Sequence, residues 1–274
     1  NGELFIGGKS CASLAGEYKT PLYIIDEEGF ENQVNLFLDN FKSELFQSRV
    51  IYASKAFTNI YMVSIVKYLG LYLDVVSGGE LYTALEANFE PEKIYFHGNN
   101  KLRSEIDMAI RHGVGSIVID NEDEFDLLSE LLEIYDKKVR VLVRINPGVE
   151  AHTHEYIQTT KEDSKFGMPI DNQRTQELIK RIINNKRTKF AGIHSHIGSQ
   201  VFEEESFFKA GELILKYAKR LSNQLNTSIE EVNLGGGFGV YYTEEDKPLE
   251  LDSFLQKYIT FIETTIKTIG LDLE

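Results

Sequence analysis

A single cysteine, Cys11, in 274 residues leaves no internal disulfide to be made, so a disulfide framework is excluded. No apolar run approaches the roughly 20 residues that a membrane-spanning helix requires, and no basic-then-apolar leader opens the chain. A cytoplasmic protein with no membrane partner is expected. Basic residues are the minority, 29 Lys and Arg against 43 Asp and Glu, a net charge of −14. A surface of that sign repels phosphate backbones, so no nucleic-acid partner is expected. Internal repeats and low-complexity stretches are also lacking. With 42% hydrophobic and 26% charged residues the chain has the balance of a folded globular protein, long enough for one large α/β barrel or two smaller domains.

Short apolar, β-rich runs alternate with amphipathic segments from Ser48 onward, the pattern of βα units on a parallel sheet. Seven such runs are expected as strands: Val50–Ala53, Leu73–Val76, Ile94–His97, Ser116–Ile119, Val139–Ile145, Phe190–Ile197 and Glu230–Leu234. Apolar residues at three- and four-residue spacing predict helices over Ile60–Leu69, Glu80–Asn88, Ser104–His112, Glu122–Tyr135, Asn172–Asn184, Glu205–Leu225 and Leu251–Ile269. An earlier strand, Leu22–Ile25, and a helix near Glu28–Phe41 precede the alternation. The polar stretch Asn146–Asp171 reads as one long irregular loop. The fold class is α/β: a (β/α)8 barrel with its eighth strand missing or barely begun, or an open doubly wound sheet. Where the chemistry lies decides between the two.

In a βα barrel the site lies at the carboxyl ends of the strands, so polar residues just after each apolar run are the candidates. The first run ends Tyr52-Ala53-Ser54-Lys55, and a lysine there is either solvated or, if desolvated, an amine able to attack an aldehyde. On the sixth, strand period two puts His194 and His196 on one face. They could be core histidines, a ring lying flat on a planar cofactor, or metal ligands joined by His97 or by His152 and His154. After the seventh, Gly235-Gly236-Gly237 implies close approach to the backbone, with N–H groups free to cradle an anion. Asp74 interrupts an apolar run and needs a partner, for which Arg144 is one candidate. Glu80 is either a pocket residue or a first-turn helix acid.

Taken in order, YASKAF, LDVVSGGEL, RINPGV, HTHEYI, DSKFG, GIHSHIGSQ and NLGGGFG resemble the successive motifs of the diaminopimelate decarboxylases. These are barrel-type pyridoxal-phosphate enzymes related to alanine racemase and ornithine decarboxylase, and the resemblance spans nearly the whole chain. It implies pyridoxal 5′-phosphate as cofactor and no metal. Lys55 would bind it covalently, His196 would stack on its ring, and Ser199 with Gly235, Gly236 and Gly237 would hold its phosphate. Asp74, Glu80 and Arg144 match positions lining the cofactor pocket. The implied reaction removes carbon dioxide from meso-2,6-diaminopimelate to give L-lysine, as a homodimer in lysine biosynthesis. Rival readings are a decarboxylase of ornithine, arginine or carboxynorspermidine, and a metal-dependent hydrolase using His194 and His196.

The resemblance has departures. Thr159-Thr160-Lys161-Glu162 replaces a run of small residues. The family's Glu-Pro-Gly-Arg motif and its C-terminal β domain, with a cysteine and a tyrosine that complete the partner's site, have no counterpart in this sequence. The expectation is therefore residues 1–46 as an N-terminal strand and helix, the strand belonging with such a β domain, and residues 47–274 as a barrel incomplete at its C-terminal end. Alone, these 274 residues are expected to be inactive.

Overall fold

The structure, a computed structural model, describes residues 2–148 and 165–273. Two short strands, β1 (Phe5–Ile6) and β2 (Lys9–Ser10), pair antiparallel about Gly7-Gly8, the two-residue turn that suits a hairpin. Helices α1 (Cys11–Tyr18) and α2 (Glu27–Asn40) follow. The regular alternation then runs β3 (Ile51–Ala53), α3 (Ile60–Tyr68), β4 (Tyr72–Val75), α4 (Gly78–Glu86), β5 (Ile94–Phe96), α5 (Arg103–His112), β6 (Ser116–Ile119), α6 (Glu122–Tyr135) and β7 (Val139–Asn146). After it come β8 (Met168–Pro169), α7 (Gln173–Asn184), β9 (Thr188–His194), α8 (Glu204–Leu225), β10 (Glu231–Asn233) and α9 (Leu251–Ile269). Side chains of Asn59, Ser77 and Asn121 cap α3, α4 and α6, supplying acceptors for their first free N–H groups, the last two within two residues of a strand end.

Seven parallel strands hydrogen-bond in the order β3-β4-β5-β6-β7-β9-β10. That order never reverses, so the sheet has no switch point and winds in one direction as a barrel does, which removes the doubly wound alternative. The large core of Val63, Leu81, Ile106, Leu128, Ile179 and Ile214 packs the helices on one face. A separate small cluster, Tyr95, Val118, Leu142 and Ala191 with Ile51 and Tyr72 against it, fills the concave face. A curled sheet with an apolar plug inside is the result.

The two outer strands of this sheet, β3 and β10, are joined by side chains. Arg49, just ahead of β3, reaches Glu231 at 3.2 Å, and Glu231 also accepts from Tyr95 Oη at 2.9 Å and pairs with Arg140 at 2.8 Å. On the outer flank α2 and α9 pack together, with Asn40 accepting from Gln256 at 2.7 Å. Leu273 makes one isolated parallel bridge to Ile229, just before β10, which agrees with an eighth strand barely begun.

Two expectations differ. Leu22–Ile25 forms no strand and pairs with none among the described residues, and Tyr23 in it is 91% exposed; the expected pairing with a β domain lies outside this sequence. The stretch Asn146–Asp171 is not wholly irregular, since β7 runs to Asn146 and β8 pairs with it. His152, His154 and Thr159-Thr160-Lys161-Glu162 lie outside the described residues, as do Asp163 and Ser164.

Candidate active site

Strand period two carries the inner apolar row into a polar one. Two residues beyond Tyr72 is Asp74, beyond Tyr95 is His97, beyond Val118 is Asp120, and beyond Leu142 is Arg144. A register shift at Val141/Leu142 then sets Arg144 opposite His194, and His194 opposite Asn233. All but Asp120 line one cavity of about 860 Å³, together with Lys55, His196, Ser199 and Gly235–Gly237. Sequence-distant motifs therefore meet at the carboxyl ends of the strands.

Part of the cavity wall is held by two clasped loops. Val201 N–H donates to Gly237 O at 3.0 Å, and Gly239 N–H donates to Val201 O at 2.9 Å. Gln200 grips the Val240 backbone at both its N–H (2.9 Å) and its carbonyl (3.0 Å). Closeness explains the glycines: a Cβ on Gly237, at φ +102°, would lie 1.9 Å from Gly198 O, and one on Gly235, at φ +73°, 2.3 Å from Ser195 O. Gly236 is different, because a Cβ there meets nothing nearer than 3.9 Å. Asn233 Oδ1 takes the Gly235 N–H at 2.9 Å, whereas the Gly236 and Gly237 N–H groups donate to no acceptor among the described residues. Free amides in a turn of this kind suit an anion.

The Lys55 turn, just after β3, is braced by Tyr52 Oη donating to Phe57 O at 2.8 Å and by Ala56 N–H donating to Ala53 O at 3.0 Å. Lys55 itself lines the cavity yet is exposed rather than desolvated. The His196 ring hydrogen-bonds the Gly236 backbone, and burial, aided by the Lys55 and Arg144 charges, pushes its pKa down to about 3. Burial likewise holds His97 and His194 well below the usual histidine range. Their rings meet edge to face at 4.5 Å, so three neutral imidazoles share the cavity. No group of three metal-ligating side chains occurs among the described residues.

Arg144 is not the ion-pair partner of Asp74. Its guanidinium lies 3.8 Å from Asp120 and 4.6 Å from the centre of the Phe166 ring, and it acts on Asp74 only through its field. Burial raises the Asp74 pKa to about 7, with Lys55 opposing and Glu80 reinforcing the shift. Glu80 stands outside the cavity lining. Its carboxylate folds back to the Val76 N–H at 2.6 Å while Ser77 Oγ takes the Glu80 N–H, the arrangement of a first-turn helix acid. Asp120, Asn233 and Gln200 are site residues that the sequence alone does not single out. Asp120 was visible in principle, two positions beyond Val118 on the inner face, but Asn233 and Gln200 act through loop contacts that no spacing announces.

The residues present fit a phosphorylated, planar, aldehyde-bearing ligand. Two free N–H groups at the cavity wall suit an anion, a neutral imidazole offers a flat face, and an exposed primary amine lines the same cavity. Asp74 Oδ1 and His194 Nδ1 are buried without a hydrogen-bond partner among the described residues, which a polar ligand would remedy. Residues 31–273 match the family model described as pyridoxal-dependent decarboxylase, pyridoxal binding domain. Diaminopimelate decarboxylase of Bacillus subtilis is 42% identical over 273 residues, covering 100% of this chain and 62% of that protein. That of Staphylococcus aureus is 42% identical over 272 residues, covering 99% and 63%. Among solved structures, diaminopimelate decarboxylase from M. jannaschii in co-complex with L-lysine superimposes with a TM-score of 0.88 at 30% identity, covering 100% of this chain and 63% of that one. The chain thus spans somewhat under two thirds of the length of the relatives it matches.

Proposed function

The chain belongs to the pyridoxal-dependent decarboxylases, and from that premise we propose that it serves the decarboxylation of meso-2,6-diaminopimelate to L-lysine and carbon dioxide. The observation that carries the reading is the convergence of Lys55, His196 and the free Gly236 and Gly237 amides on one cavity. The curated relatives bear the name of that reaction, and a structural neighbour holds L-lysine. When bound, pyridoxal phosphate supplies an electron sink for the pair left behind as carbon dioxide departs.

The chain's own residues have separable tasks in this reading. Lys55 holds the cofactor through its amine, and Ser199 with the Gly235–Gly237 loop holds the phosphate. His196 gives a flat, uncharged face to the ring, since a cation there would oppose protonation of the pyridine. Asp74, titrating near neutrality, can keep or release a proton at its buried oxygen. Glu80 acts at one remove, through its charge on Asp74 and its hold on the Val76 N–H. Residues 47–274 form the cofactor-binding unit and residues 1–46 an N-terminal extension. A cytoplasmic homodimer completes the proposal. The acidic net charge and the lack of any helix long and apolar enough to cross a membrane among the described residues are compatible with it.

The test is release of labelled carbon dioxide from carboxyl-labelled meso-diaminopimelate by the full-length protein carrying this chain. Release that depends on added pyridoxal phosphate and disappears in Lys55→Ala supports the reading. Equal release without the cofactor, or preference for ornithine or arginine, contradicts it.

A further inference from the structure

Beside the cavity, on the side away from the glycine loop, lies a buried ion pair that the proposed chemistry does not use. Lys101 Nζ and Glu124 Oε1 are 2.6 Å apart, with their side chains 1% and 3% exposed. The ammonium also donates to Gly98 O and Val118 O, both at 2.8 Å, which ties the loop after β5 to the end of β6. The second Glu124 oxygen takes the Asp120 N–H at 3.2 Å. Asp120 turns its own carboxylate to the Gly167 N–H at 3.0 Å and to Arg144 at 3.8 Å. Two well-packed apolar side chains would stabilise this spot about as well as two buried charges do. They could not hand on hydrogen bonds.

We propose that Lys101 and Glu124 are positioning residues: their ion pair fixes Asp120, and Asp120 fixes Arg144 and the Phe166–Gly167 turn at the cavity wall. The proposal rests on reading that cavity as the pyridoxal-phosphate site. Arg144 is the charged link of the chain that lines the cavity, beside Phe166, so whatever its charge does there depends on a carboxylate behind it. That carboxylate in turn is aimed by a pair that never touches the ligand.

The test is amide hydrogen exchange in the full-length protein without cofactor, comparing wild type with Glu124→Gln and Asp120→Asn. Losing a hydrogen bond to a charged acceptor should speed Gly167 exchange on the order of tenfold in each single variant, with no further gain in the double variant. The Leu73 amide in β4 should keep its wild-type rate. Should Glu124→Gln fail to fold, the paired change Lys101→Met with Glu124→Leu removes both charges and must show the same acceleration. Unchanged Gly167 exchange in a folded variant, or accelerations that multiply, overturns the proposal. A second arm titrates pyridoxal phosphate by visible absorbance. Glu124→Gln should weaken binding on the order of tenfold in the wild-type background but not in an Arg144→Gln background. Equal losses in both backgrounds overturn it. Failure of the wild-type protein to bind pyridoxal phosphate sinks the functional reading instead, because the exchange arm needs no cofactor.

Discussion

Alanine scanning of the three consecutive glycines should separate what the backbone requires from what the ligand requires. Gly237 sits at φ +102°, and a Cβ there would stand 1.9 Å from Gly198 O and 3.2 Å from His196 Cε1. The unfavourable backbone angle costs about 1–2 kcal/mol for a side-chain-bearing residue. The clash is with a backbone carbonyl that no rotamer change can move, and forcing a methyl into such a space costs about 1–3 kcal/mol more. Gly237→Ala should therefore lose about 2–5 kcal/mol of stability, a large share of the roughly 5–15 kcal/mol of a typical domain. Gly235→Ala falls in the same class, with a 2.3 Å approach to Ser195 O. Gly236→Ala should be within about 1 kcal/mol of wild type and can even gain by restricting the unfolded chain. Urea unfolding without cofactor is the assay, since a ligand bound only to the folded state would add its own stabilisation. The reasoning fails if Gly236→Ala is as damaging as Gly237→Ala, or if Gly237→Ala unfolds at the wild-type urea concentration.

Three further outcomes are expected. His196 has its pKa depressed to about 3, so its neutral form contributes stability that is present above the unfolded value near 6.5 and is lost as pH falls towards 3; His196→Gln should flatten that acid limb in a pH series of melts, and an unchanged limb counts against a buried neutral ring. Asp74 is displaced the other way, to about 7, so the folded state holds a proton the unfolded state has released, and stability falls as pH rises from about 4 to 7. Asp74→Asn should remove that slope and be the more stable protein by a few kcal/mol at pH 8, whereas equal slopes would contradict a desolvated carboxyl. At the opposite end of the sheet, Glu231→Leu removes the carboxylate that Arg49, Arg140 and the Tyr95 hydroxyl share, leaving Arg140 only the 3.7 Å contact to Glu230 as an ion pair. It should cost about 3 kcal/mol in urea melts; a loss under about 0.5 kcal/mol, the level of a surface substitution, would show that this network does not join β3 to β10.

Strands and helices were legible because each alternates apolar and polar residues at its own period, and Glu122–Tyr135 and Leu251–Ile269 are helices over the spans expected. The hairpin at Phe5–Ser10 escaped notice because its strands are two residues each, too short for any period, although Gly7-Gly8 marks its turn. Lys55, His196 and the glycine run stood out since each is chemically conspicuous just after an apolar run. Partnership was less legible than presence. Asp74 and Arg144 are opposite charges on strands that share the concave face, yet Asp120 on the strand next to Arg144 is nearer and takes its charge. Gln200 likewise reads as one more polar loop residue until its two-point grip on Val240 is seen.

In the proposed function Lys55 is the residue that captures the cofactor. Borohydride reduction of the full-length protein with pyridoxal phosphate, followed by peptide mass mapping, reads this directly. One reduced pyridoxyl adduct is expected, on Lys55, and none in Lys55→Ala. A stoichiometric adduct on a different lysine, or undiminished labelling of Lys55→Ala, would contradict the assignment of this cavity.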